Sequence, residues 1–485
     1  MSLIVVRIDP ITPWVTPIKL FSRSRSCRTL CTLSLVLVAG CSVAPLPALK
    51  PSTPQAWRNT PAALAAHKPD LNQWWHAFND PELDALVVRA LHNNLEVGAA
   101  IERLRATRVL SRSAQAPYLP SLGVKTHDAI SPDTSTSYFL IGFDAQWELP
   151  LFGARQSAER LAQGHEALVQ ADVRSVQVSL VAEVTRQWLE LRSAQQAELS
   201  LTRLRDTQQE KLALLRVREH LALASPAEVC AAEAELAQAE MSLSAPRQLI
   251  NRHGQQLALL AGQSEPDPRW LQPRPPPTLG PWQLDTLPAD LLRTRPDIAS
   301  AEAQVLVAAG ELGMSRADLY PRLSLGASLQ WSVNIASNRK RTPSGNGIFS
   351  AGPGISIPLF DWGQRASAAR ASDHLLQAAL LDYRQAVLQG VSQVETALGD
   401  LQQTRLREQA ARQAQAATQA RLHALRQRAQ LGLMSTLALA DAEMRAQQAL
   451  QQADAASTER GIAYIALYKA LGGAPLPPGA IKEAD

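Results

Sequence analysis

Two proline-free stretches constrain this chain more than any other feature. The chain holds 32 prolines, yet none falls between Pro150 and Pro226 or between Pro358 and Pro475. Apolar residues recur there at helical spacing. Val173, Val176, Leu180, Val184, Trp188 and Leu191 step by 3, 4, 4, 4 and 3, and Val387, Val391, Val394, Leu398 and Leu401 by 4, 3, 4 and 3. These are the periods of long helices and coiled coils. Residues 155–221 as one helix would reach about 100 Å at 1.5 Å per residue, a rod that no globular domain needs.

Each rod is preceded by the same junction. WELPLFG (147–153) and SIPLFDWG (356–363) both place Pro-Leu-Phe between an alternating stretch and a helical run. In 137–149, Phe139, Ile141, Phe143, Ala145, Trp147 and Leu149 share one face. In 323–335, Leu323, Leu325, Ala327, Leu329, Trp331, Val333 and Ile335 do the same. A period of two with one apolar face predicts half-buried strands. With the polar turns at 131–136 and 334–347, each half carries one hairpin, four strands in all.

The halves correspond piece by piece. A short helix opens each, at 80–91 and 287–295, and an Ala-rich helix then ends in YLPSL (118–122) or YPRLSL (320–325). Hairpin, junction, rod, reversal and return helix follow, closing on LLAG (259–262) and ALGG (470–473). The expected units are a first repeat at 71–262, a proline-rich linker at 263–280, a second repeat at 281–473 and a tail at 474–485. At the first reversal, Ser225, Pro226 and Glu228 write a capping box. At the second, Gly432 suits the positive φ that ends a helix and Ser435 can cap the next. Pro246 lies inside the first return helix and should kink it.

The amino terminus reads as an export signal. Arg23, Arg25 and Arg28 precede the apolar run Leu30–Ala39, which is too short to span a bilayer. The run ends in Val-Ala-Gly-Cys (38–41), which resembles the lipobox of bacterial lipoproteins; that resemblance implies a signal at 1–40 and a lipidated amino terminus at Cys41, followed by a Pro/Ala-rich tether at 41–70. Arg7, Lys19, Arg23, Arg25 and Arg28 against Asp9 give residues 1–40 a charge of +4, the whole of the chain's formal +4. The neutral remainder offers nucleic acid no phosphate-binding footprint. Cys27 and Cys31 leave with the signal, so Cys230 has no disulfide partner.

Alternating strands, a lipid anchor and the lack of a transmembrane helix point to a β-barrel in the outer membrane. Four strands cannot close a barrel, and an open edge cannot face lipid. Several copies must therefore share one, and the rods would continue its cylinder into the periplasm. Two copies give eight strands, a size of barrel that side chains fill, and three give twelve, enough to leave a lumen.

The combination of QWW (73–75), NDPELDALVVRAL (79–91), LLRTRPDI (291–298), YPRLSL and IPLFDWG (357–363) resembles the TolC-type outer membrane efflux proteins, in their lipoprotein branch (NodT-, OprM- and MdtP-like). The likeness spans nearly all of the mature chain. It implies a homotrimer with a 12-stranded barrel and an α-helical periplasmic tunnel. It also implies a periplasmic adaptor and an inner-membrane pump as partners, and drugs or other small toxic molecules as cargo. By the same likeness the adaptor docks at the two reversals, Leu221, Ala222 and Ser225 in one and Leu431, Gly432, Leu433 and Ser435 in the other. Asp441 matches a position that narrows the tunnel. Ala438 and Ala429 depart from the acidic residue and the tyrosine common at their positions. The resemblance leaves protein export as a second possibility, and the residues alone leave a non-conducting coiled-coil scaffold. The nine histidines are scattered, with no HExxH, no clustered metal ligands and no phosphate loop, so no enzyme, metal or cofactor is expected.

Overall fold

The structure, a computed structural model, describes residues 49, 57–59, 71–129, 138–280, 294–334 and 348–475, apart from the side chains of 127–129, 138–140, 332–334 and 348. After a 3₁₀ turn at Trp74–Phe78, the helices are α1 (Pro81–Asn93), α2 (Leu95–Arg112), α3 (Ala154–His220), α4 (Pro226–Ser242), α5 (Ser244–Leu260), α6 (Pro296–Ala317), α7 (Gln364–Gln430) and α8 (Thr436–Ala470). The strands are β1 (Ser121–Ala129), β2 (Tyr138–Leu149), β3 (Arg322–Asn334) and β4 (Ile348–Ser356). The signal, Cys41, most of the tether, the hairpin turns and most of the short helix expected at 287–295 lie outside the described residues.

The rods α3 and α7 are each 67 residues long. At 1.5 Å per residue each spans about 100 Å. Their starts (154 and 364) and C-caps (221 and 431) differ by the same 210 residues, so nothing has been inserted or lost along either rod. The predicted stripes are buried: Val184, Trp188 and Leu191 on α3 and Val387, Val394 and Leu398 on α7 lie in the main core. That core sits partway down the rods, where the 3₁₀ turn, α1 and the end of α8 converge. There Trp74 stacks on Tyr468 at 5.4 Å, and its Nε1 donates to the Gly473 carbonyl at 3.2 Å. Closer to the strands, α6 crosses α3 at small residues. A Cβ on Gly310 would stand 2.8 Å from the Leu161 nitrogen, so the helices approach as closely as they do because that position is bare.

Side by side, α3 packs against α4, α5 and α8, and α8 packs against α7. The two helical hairpins therefore meet along α3 and α8, with α4/α5 and α7 on the flanks.

The strands form one antiparallel sheet in the order β1-β2-β3-β4. The expected hairpins are joined to each other by a third ladder, β2 on β3, which pairs the two halves over Tyr138–Leu149. Register carries the apolar face straight across the sheet: Val124, Phe143, Leu329 and Phe349 are successive partners. On the other face Gly123, Asp144, Ser328 and Ser350 line up, with the Ser328 and Ser350 hydroxyls 2.9 Å apart and Asp144 paired to Lys125. The outer ladders of β1 and β4 have no partner among the described residues.

Two expectations shift. The junctions are not aligned on Pro-Leu-Phe. In the first copy Phe152 (φ 54°) and Gly153 (φ 78°) turn the chain into α3; in the second the same pair of left-handed residues is Trp362 (φ 55°) and Gly363 (φ 79°). Two additional residues follow Phe360, and the equivalent element is an aromatic residue followed by glycine, because only that pair makes the corner. The interruption expected at Pro246 appears earlier. The helix breaks at Leu243, and Pro246 is the third residue of α5. A proline ring collides with the carbonyl four residues back, here that of Ser242, so the helix parts there.

Candidate functional site

The two rod ends are built alike. At the first, the Leu223 N–H donates to the Arg218 carbonyl at 2.7 Å and Ala222 N–H to Glu219 at 2.9 Å. At the second, Leu433 donates to Arg428 at 3.0 Å and Gly432 to Ala429 at 2.9 Å. Both are the six-to-one closure of a Schellman turn, which requires one left-handed residue. Gly432 takes it with φ 72°, as its type suggested, and Ala222 takes it with φ 58° against its Cβ. The turns push Leu221, Leu223, Leu431 and Leu433 outward, each more than half exposed. Four leucines thus stand in water at the end of the molecule farthest from the sheet.

The next helices start differently. Ser225 N–H donates to Glu228 Oε2 at 2.7 Å, and Glu228 N–H to Ser225 Oγ at 3.3 Å, a complete capping box. The Ser225 hydroxyl also donates to Glu228 Oε2 at 3.0 Å, and the bonds from the Ser225 N–H and hydroxyl hold the Glu228 carboxyl below its ordinary pKa. At the second tip Ser435 accepts from Ala438 N–H at 3.2 Å, but Ala438 has nothing to return. The acid missing at 438 is therefore also half of a cap.

Asp441, one turn into α8, is half exposed and does not stand free. Its Oδ1 lies 3.7 Å from Lys211 Nζ of α3, which also holds Glu235 of α4 at 2.9 Å. One ammonium thereby ties the first helical hairpin to the second. Sequence reasoning passed over Lys211, although it is the only lysine in α3 and sits among the apolar residues Leu212 and Leu215. No pattern could have told that it faces Asp441, because their approach depends on how the two hairpins pack.

A second polar cluster was also missed. Arg192, almost fully buried, lies over the Trp188 ring at 4.2 Å, pairs with Glu82 at 3.0 Å and donates to the Gln272 carbonyl at 2.8 Å. Asp80 caps α1 and accepts from Trp188 Nε1 at 2.7 Å. The Asn-Asp-Pro-Glu motif thus clasps α1 and the linker around Trp270 to the first rod.

At the rim where strands become helices, Phe152 stacks on Tyr320 at 4.6 Å, Phe360 contacts Trp362 at 4.7 Å, and Leu359 and Trp362 are each 90% exposed. Such a band marks the interface level of an outer membrane barrel. Among the described residues no helix is long and apolar enough to cross a membrane, and no cluster of side chains has the makings of a metal site.

The solved outer-membrane channel OprN has this fold, with a TM-score of 0.76 and 27% identity over 88% of this chain and 99% of that one. The open state of the MtrE channel of Neisseria gonorrhoeae superposes equally well at 0.76, with 23% identity over 89% of this chain and 98% of that one. An amphipathic four-stranded sheet continued by two rods of about 100 Å is the architecture of a TolC-like outer membrane channel, with its helices extending into the periplasm. The profile described as "Outer membrane efflux protein" matches residues 86–263 and 287–473. The pyoverdine export outer membrane protein OpmQ of Pseudomonas aeruginosa is 30% identical over 92% of this chain and 97% of its own length. The solvent efflux pump outer membrane protein SrpC of Pseudomonas putida is 28% identical over 70% and 75%. The chain belongs to the outer membrane efflux protein family, whose members are channels, and it serves as the outer membrane component of an efflux system.

Proposed function

We propose that three copies of this chain close a 12-stranded barrel and a helical tunnel. In this reading they form the passive exit duct of a tripartite system, fed by an inner-membrane pump through a periplasmic adaptor. The observation that carries it is the pair of sheet edges, β1 and β4, that have no partner among the described residues, on an otherwise complete antiparallel sheet with one apolar face. In lipid each unpaired backbone group costs several kcal/mol, so those edges must find each other in neighbouring copies. Twelve strands leave a lumen, lined by the row of Gly123, Asp144, Ser328 and Ser350. The exposed leucines of the two tips, Leu221, Leu223, Leu431 and Leu433, form the adaptor-docking surface together with Ala222, Gly432 and the caps Ser225 and Ser435. Asp441, held by Lys211, narrows the tunnel just above it. Cys41 carries the lipid that fixes the amino terminus to the membrane.

The cargo is small molecules, drugs or other toxic compounds. The likeness to OpmQ favours a secreted small molecule such as the pyoverdine of that protein's name. The test is native mass spectrometry of the detergent-extracted protein, with single-channel recording of the same sample. A trimer that conducts is expected. A stable monomer would sink the architecture, and a trimer without conductance would leave only a coiled-coil scaffold. Palmitate labelling of the wild type, lost in Cys41→Ser, tests the anchor separately.

A further inference from the structure

The internal duplication extends to two grooves in the helical walls. One, of about 910 Å³, lies between α7 and α8 and is also lined by Ser175 and Ser179 of α3. The other, of about 790 Å³, lies between α3 and α5 and is also lined by Thr458 of α8. They are one groove written twice. Glu183, Arg186 and Glu190 of α3 stand where Gln393, Thr396 and Asp400 of α7 stand, each 210 residues on (393 − 183). Arg252 and His253 stand in the same way where Ile462 and Ala463 do (462 − 252).

The two grooves share one face of α3. Ser175, Ser179, Glu183, Arg186, Glu190 and Ser193 step by 4, 4, 3, 4 and 3, a single helical stripe. Val184, Trp188 and Leu191 form the opposite side. There Asp80 binds Trp188, and Glu82 of α1 and the linker at Gln272 bind Arg192. In the tunnel proposed above, that added layer stands outside, so both grooves face the lumen.

The two copies use their charges differently. In the first, Arg186 binds Glu183 at 2.6 Å and Glu190 at 3.0 Å, and His253 Nδ1 lies 2.6 Å from Gln187 Oε1, so the groove is closed by its own side chains. In the second, Arg407 pairs with Glu459 at 2.6 Å and Arg295 with Asp297 at 2.7 Å. Two lining charges of opposite sign remain, Asp400 and Lys469. Both are exposed, and neither forms a salt bridge among the described residues. Lys469 acts on Glu183 of α3 only beyond that distance. Asp400 lies seven residues before Arg407 (407 − 400), and Lys469 lies ten after Glu459 (469 − 459), so the pair is offset by three residues along the hairpin. With helix axes 8–10 Å apart, their backbones are roughly 10 Å from each other.

We propose that the second groove is a binding station for cargo in the tunnel wall, and that it takes zwitterionic small molecules. The ammonium of the ligand pairs with Asp400 and its carboxylate with Lys469, while hydroxyl or amide groups between them meet Ser392, Thr396 and Gln403. The groove has the size of a small-molecule site. Its free charges are solvated and bind weakly, which suits a duct that must release what it takes up. The lumenal position rests on the duct reading; the match of charges does not.

The test uses the full-length, detergent-extracted protein and the tripeptide Ser-Gly-Ser, which spans roughly 10–11 Å when extended. In a titration followed by saturation-transfer NMR the free tripeptide should bind saturably, and its acetylated, amidated form several-fold more weakly. Asp400→Asn and Lys469→Gln should each weaken binding of the free tripeptide roughly fivefold. Asp400→Lys combined with Lys469→Asp should restore it, because a zwitterion can bind turned end for end. Equal affinity for free and capped tripeptide, or wild-type affinity in both single variants, overturns the site. Single-variant losses that the exchange does not restore overturn the charge pairing. In a planar bilayer, Ser-Gly-Ser should interrupt the current of the wild type and interrupt that of Asp400→Asn less often. Binding that leaves the current of a conducting trimer unchanged overturns the station. If no assembly conducts, the duct reading and the station fail together, while the NMR titration still decides whether the groove binds zwitterions.

Discussion

Ala222 and Gly432, 210 residues apart (432 − 222), hold the same left-handed backbone conformation at the two ends of the tunnel helices. Only one of them is a residue that adopts it freely. The left-handed region costs an L-residue about 1 kcal/mol or more relative to glycine, so the first tip is strained where the second is not. Ala222→Gly should relieve that strain and slow hydrogen exchange at Leu223. Gly432→Val should do the opposite while leaving the sheet, about 100 Å away, untouched. The valine protein should reach the outer membrane as a trimer, yet resistance to a cargo of its own pump should fall. Cysteine crosslinking from Leu433 to the adaptor should fall with it. Wild-type values for both would reduce Gly432 to a helix terminator.

The asymmetry of the caps is open to repair. Ala438 occupies the position that Glu228 fills at the first tip (438 − 210 = 228). Ala438→Glu would complete a capping box around Ser435 and should stabilise the start of α8 by about 0.5–1 kcal/mol. Slower amide exchange at residues 436–439 would register it. Unchanged exchange would mean that the new carboxylate points elsewhere.

Lys211 bridges Glu235 and Asp441, but Asp441 is half exposed at 3.7 Å, so the bond is worth only about 0.5 kcal/mol and is screened by salt. Lys211→Met should therefore shift the balance between the hairpins modestly, lengthening open times in single-channel records at low salt more than in 1 M salt. Identical records for mutant and wild type at both salts would show that the bond does not restrain the tunnel.

Glu408 of α7 is buried between Arg460 at 2.7 Å and Arg412 at 2.8 Å. Burial alone would raise its pKa, but the hydrogen bonds from the two guanidinium groups outweigh it and hold the carboxyl below its ordinary 4.5. A depressed pKa contributes stability that is present above the unfolded value and is lost as pH falls through the folded one. Wild type should thus exceed Glu408→Gln in thermal stability at pH 7, with the gap closing below about pH 4.5. A gap that is constant with pH would mean that charge is not what Glu408 supplies.

The faces of the sheet predict opposite tolerances. Phe143 lies in the apolar row and Gln146 on the polar face. Phe143→Arg places a charge toward lipid at a cost of about 2–4 kcal/mol near the midplane and should impair assembly, seen by native mass spectrometry as loss of the proposed trimer. Gln146→Arg should assemble. Equal behaviour of the two would reverse the faces.

What the sequence determined by itself was whatever depends on near neighbours along the chain. The rods followed from helical spacing and the lack of proline, the strand faces from alternation, the cap at Ser225 from its own four residues, and the left-handed turn at Gly432 from the absence of a Cβ. The likeness in motif order was enough to indicate the family. What only the tertiary structure decided was what meets across the fold: the ladder that joins β2 to β3, Lys211 against Asp441, and Arg192 buried over Trp188. It also decided Ala222, whose conformation opposes its own preference because the turn between two packed helices outweighs about 1 kcal/mol of local cost. Local patterns are written in a few consecutive residues and survive without context. Long-range partners are chosen by which surfaces the whole chain brings together, and no short stretch of sequence records that.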